Sequence, residues 1–83
     1  RTRAMDDLQR ELDRLIGELA ELDRCSALGD DGANLVLVTM ARRGTKQAIF
    51  EVRRLMTAQS QCDASLSTIA TQLRESRAHS MRV

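Results

Sequence analysis

An all-α fold, an antiparallel two-helix hairpin whose second helix runs on past the first, is predicted by three observations. The 83 residues contain no Pro, Trp or Tyr, one Phe and four Gly, so little interrupts a long helix and no aromatic bulk is available for a sheet core. Apolar residues recur at steps of three and four in two long runs, the spacing of a heptad seam. A single cluster, Gly29-Asp30-Asp31-Gly32, separates the runs. The chain is therefore one domain, 1–83, too small to stabilise itself through its own core, and a partner must make up the deficit.

The first run is Met5, Leu8, Leu12, Leu15, Leu19 and Leu22. It predicts a helix over 2–28, with Asp6, Asp7, Glu11, Asp13, Glu18, Glu21 and Asp23 off the seam and Arg3, Arg10 and Arg14 on one flank. Gly29 suits the left-handed conformation that closes a helix, and Asp30 or Asp31 suits the cap of the next one. Residues 29–32 are accordingly read as the turn.

The second run is Val38, Ala41, Thr45, Ala48, Val52, Leu55, Gln59, Cys62, Leu66, Ile69 and Leu73. It predicts a helix over 33–78 followed by a frayed end. Gly44 is a weak point, costing about 1 kcal/mol relative to Ala. A soft region, at which the helix could bend, lies near Asp63, where Thr57, Ser60, Ser65, Ser67, Thr68 and Thr71 dilute the strong helix formers. A four-residue turn places residues whose numbers sum to about 61 opposite each other, Leu22 near Val38 and Leu12 near Ile49. Beyond about Gln59 the second helix has no partner within the chain, so Cys62, Leu66, Ile69 and Leu73 form an open stripe that marks an assembly surface.

Thirteen Lys and Arg balance twelve Asp and Glu, which gives the whole chain no pull toward nucleic acid, and no aromatic residues interleave with the bases to stack on it. Nucleic-acid binding is not expected. The local basic face of Arg3, Arg10, Arg14, Arg42, Arg43, Lys46, Arg53 and Arg54 fits an anionic membrane surface or an acidic neighbouring subunit. Its bland counterpart is a solvated face of same-helix ion pairs. Charge reversal at Arg10 and Arg14 is expected to abolish liposome co-sedimentation if that flank faces lipid. Ser26, Ser80 and His79 form no triad, Cys25 and Cys62 form no C-x-x-C, and the glycine cluster carries anions where a phosphate needs donors. We therefore expect no enzyme, no metal and no cofactor, and a reducing, cytoplasmic location. The longest apolar run, Leu35-Val36-Leu37-Val38, is far short of a membrane span. A start at Arg1 rather than Met is consistent with a piece of a longer protein.

The stretch Arg3-Ala4-Met5-Asp6-Asp7-Leu8-Gln9-Arg10-Glu11-Leu12-Asp13-Arg14 resembles the start of the first core helix of ESCRT-III subunits, the charged multivesicular body proteins. Leu55-Met56-Thr57-Ala58-Gln59 is similar to the Leu-Met-x-Ala-Asn stretch of the subclass that recruits the disassembly ATPase, and Gln72-Leu73 to Met81 resembles the polar continuation. Membership would imply a helical-hairpin core, in which the second helix packs on neighbouring subunits and the polymer remodels endosomal or other membranes during protein transport. The implied partners are other such subunits and itself, an anionic membrane, and an AAA disassembly ATPase reached through regions outside this chain.

Residue pattern and resemblance together lead to the expectation of a non-catalytic filament subunit, recruited peripherally to membranes. The competing expectation is a small coiled-coil adaptor or secretion chaperone with one defined partner, and a third is a segment of a longer structural coiled coil. A polymer predicts length-heterogeneous assemblies, an adaptor a finite complex.

Overall fold

The computed structural model describes residues 2–27 and 32–82. It contains two helices, α1 (Arg3–Ala27) and α2 (Gly32–Arg82), packed side by side and antiparallel. Of the expected turn, residues 29–31 lie outside the described residues, and Gly32 belongs to α2 rather than to the turn. Thr2 is not helical; its Oγ1 accepts from the Met5 amide at 3.2 Å, which caps the first turn of α1. At the other end α2 continues past Ala78 to Arg82.

α2 runs as one helix through the soft region near Asp63. A straight helix of 51 residues measures about 76 Å at 1.5 Å per residue, and the described residues extend over 79 × 14 × 12 Å. Asp63 does not compete for the backbone because its carboxylate is occupied elsewhere. Oδ1 accepts from Gln59 Nε2 at 2.9 Å and Oδ2 from Thr2 Oγ1 at 3.2 Å. Thr45, Thr57 and Thr68 donate back to the carbonyls of Ala41, Arg53 and Ala64, so these hydroxyls are satisfied within the helix.

Four residues form the water-excluded core, Leu12 and Leu15 from α1 and Ile49 and Val52 from α2, with Leu8, Leu19, Ala48 and Met56 packed around them. Each of the four contributes about 1.5–3 kcal/mol by burial. The register differs from the expected one. Two polar pairs join the helices, Thr2 with Asp63 and Asp23 with Arg42, and in each the residue numbers sum to 65 rather than 61. The shift lets Leu15 meet Ile49 and Leu12 meet Val52, and it leaves the start of α2, including Leu35, Val36 and Leu37, exposed beyond the end of α1.

The seam on α2 also differs in one of its two positions. Val38, Thr45, Val52 and Gln59 do face α1, but their companions are Arg42, Ile49, Met56 and Asp63, not Ala41, Ala48, Leu55 and Cys62. Ala41, Leu55 and Cys62 are exposed, and Ala48 sits at the margin of the core. Burying Ile49 in place of Ala48 removes more apolar surface from water, and the charged ends of this row, Arg42 and Asp63, find partners on α1.

Neither Gly17 nor Gly44 is needed for packing, since a Cβ at either position meets nothing within 4 Å. Gly17→Ala and Gly44→Ala are each expected to stabilise the hairpin by about 0.5–1 kcal/mol, measured by urea denaturation followed by circular dichroism. Leu15→Ala should act in the opposite direction, by about 2–5 kcal/mol.

Candidate interaction surfaces

α1 carries seven acidic side chains against four basic ones, a net charge of −3, whereas α2 carries eight basic against three acidic, a net charge of +5. Near neutrality of the whole chain therefore conceals a strong separation between its helices. On α1 the cations are absorbed locally. Arg10 pairs with Asp7 at 3.1 Å, Arg14 is held between Glu11 and Glu18, and Arg24 pairs with Glu21. Both guanidiniums are engaged with carboxylates of their own helix and remain exposed to solvent.

Hydrogen bonding from Arg14, opposed by some desolvation and helped by its charge, holds the Glu11 carboxyl below its ordinary value. The same bond to Glu11, with the charges of Glu11 and Glu18, raises Arg14. A depressed carboxylate favours the folded form above its unfolded pKa and loses that contribution as pH falls through the folded value. Arg14→Gln should therefore move the Glu11 carboxyl upward in an NMR titration, and acidification through that range should lower the helicity of the parent more than that of the variant.

On α2 the cations divide. Arg42 reaches across to α1, its Nε 2.7 Å from Asp23 Oδ1, an ion pair whose alignment falls short of a hydrogen bond. Arg54 pairs with Glu51 at 2.8 Å. Arg43, Lys46 and Arg53 have no acidic side chain in ion-pair range among the described residues, and all three are exposed. They surround Phe50, which is 66% exposed although it is the only aromatic residue in the chain. Shallow depressions on either side of its ring are lined by Arg43 and Lys46 and by Arg53 and Arg54. This outer face of α2 points away from α1. Arg3 lies apart from it, exposed at the start of α1.

Past Asp63 nothing from α1 covers α2. Leu66, Ile69 and Leu73 are 59%, 50% and 62% exposed, and Cys62, which leads into them, is exposed with a free thiol. The overhang, residues 64–82, is about 28 Å of single helix.

Sequence reasoning missed Phe50 and the two polar pairs between helices, and it placed Ile49 opposite Leu12 without assigning its row to the seam. Ile49 and Met56 were hidden because their row also contains Arg42 and Asp63, whereas the row Ala41, Ala48, Leu55, Cys62 and Ile69 is apolar throughout. The signal available was the bulk of Ile49 against Ala48. Among the described residues no group of His, Cys, Asp and Glu has the arrangement to hold a metal ion, and no helix is long and apolar enough to cross a membrane.

Comparison with protein-family models, with curated proteins and with solved structures finds no match to this chain.

Proposed function

We propose that this chain is a non-catalytic subunit of an ESCRT-III-like polymer, a helical hairpin that assembles with itself or with related subunits on an anionic membrane and deforms it. The observation that carries the reading is the overhang. Leu66, Ile69 and Leu73 lie exposed along one side of a bare helix, a contiguous apolar stripe of the kind that marks an interaction surface, and in this proposal the hairpin recruits a neighbour through it. The resemblance of Arg3 to Arg14 and of Leu55 to Gln59 to ESCRT-III core helices supports the same reading. In this proposal the membrane-facing residues are Arg43, Lys46 and Arg53 with Phe50 between them, because the cations of α1 other than Arg3 are neutralised within their own helix. Endosomal recruitment and disassembly by an AAA ATPase belong to the proposal as roles of the polymer, the latter through segments outside residues 1–83.

Electron microscopy and light scattering over a concentration series test the assembly. Assemblies of heterogeneous length are expected from the parent chain, and Ile69→Asp should reduce them to single chains with unchanged helicity. A complex of fixed, small stoichiometry would instead identify a coiled-coil adaptor or secretion chaperone. For the membrane, three cations at about 1 kcal/mol each predict that reversing Arg43, Lys46 and Arg53 together lowers binding to phosphatidylserine vesicles at least about tenfold. Reversal of Arg10 and Arg14 should leave it within about twofold. The opposite ranking would place the lipid on α1.

A further inference from the structure

The outer face of α2 does not end at its cations. The depression that holds Arg43, Lys46 and Phe50 shares Thr39 and Arg43 with a further one, nearer the start of the helix, lined also by Leu35, Val36 and Met40. On its other side it shares Phe50 with the depression that holds Arg53, Arg54 and Thr57. One strip therefore runs from Leu35 to Thr57, about 33 Å of helix. Leu35, Val36, Met40 and Phe50 are all exposed. At about 100° of turn per residue they fall within an arc of about 140°, and Arg43 and Lys46 stand inside that arc rather than beside it. α2 has no acidic residue before Glu51.

Apolar side chains are thus concentrated at the end of the strip nearer the turn, and the cations begin within one turn of Met40. We infer, on the membrane reading above, that this end of the strip enters an anionic bilayer. Leu35, Val36 and Met40 reach the acyl chains, Arg43 and Lys46 lie among the phosphates, and the hairpin is tilted with its turn end low and its overhang raised. Attraction by surface charge alone uses none of the three apolar residues.

The composition of the strip selects lipid over a protein neighbour. A seam between packed helices dries its centre, and cations placed there lose hydration. The boundary between headgroups and acyl chains takes both kinds of side chain at once, because Arg and Lys bury their stems while their charged ends stay at the phosphates. A second copy of the chain also has little to offer these cations. Its α1 carboxylates from Asp7 to Asp23 are already engaged by Gln9, Arg10, Arg14, Arg24 and Arg42. The connection carries Asp30 and Asp31, which a negative surface repels, so the side of α2 enters rather than the connection.

Depth measurements on the full chain test the inference. With Cys25→Ser and Cys62→Ser removing the native thiols, a fluorophore is attached at Met40→Cys or at Gln61→Cys, two exposed positions on this face. On vesicles of phosphatidylserine and phosphatidylcholine with brominated acyl chains, the label at 40 is expected to lose its emission and the label at 61 to keep it. Val36→Ser combined with Met40→Ser should bind the same vesicles at least about tenfold more weakly, with helicity unchanged by circular dichroism. An unquenched label at 40, or equal quenching at both positions, overturns the insertion while vesicle binding by the parent leaves the membrane reading in place. A serine variant that binds vesicles like the parent but no longer assembles also overturns it and gives the strip to a protein neighbour. A parent chain that binds no vesicles overturns both.

Discussion

Leu12 and Leu15 interlocked with Ile49 and Val52 exclude water from one short stretch of an otherwise open rod, and the rest of the molecule is arranged by that contact. It sets which residues of α2 stand across from α1 and therefore where α1 stops covering it. It also turns the row of Ile49 inward, and by doing so turns the row of Leu55 outward. A core of this size is small against the conformational entropy of ordering two long helices. In the polymer proposed above, the remaining burial is intermolecular.

Charge follows the same division. α1 has paired most of its cations with its own acids and is left with an excess of carboxylate, while on α2 Arg43, Lys46 and Arg53, around an exposed Phe50, have no acidic partner among the described residues.

The two-helix architecture and the unequal helix lengths were legible from the spacing of Leu8, Leu12, Leu15, Leu19 and Leu22 and from the one glycine cluster. The details of pairing were not. Alternation of three and four residues is satisfied equally by the row of Ala41, Ala48 and Leu55 and by the row of Arg42, Ile49 and Met56, so periodicity alone selects neither. Side-chain bulk and the chance to pair Arg42 with Asp23 and Asp63 with Thr2 decide it, and both depend on which residues meet across the interface. Near Asp63 local composition reads as a soft spot, yet the helix is continuous there and the Asp63 carboxylate is engaged by Gln59 and Thr2. On the overhang both readings coincide, because there no second helix has made the choice.

A leucine every three or four residues looks nearly the same after a shift of seven, so apolar packing distinguishes poorly between neighbouring positions of α1 along α2. The polar contacts at the two ends of the overlap do not share that symmetry. Thr2 on Asp63 and Asp23 on Arg42 act as paired stops on a rail, one at each end of the overlap that the core contact centres. The length of helix left bare, set by the hydrophobic contact, is thus held against slippage by a hydroxyl and an ion pair.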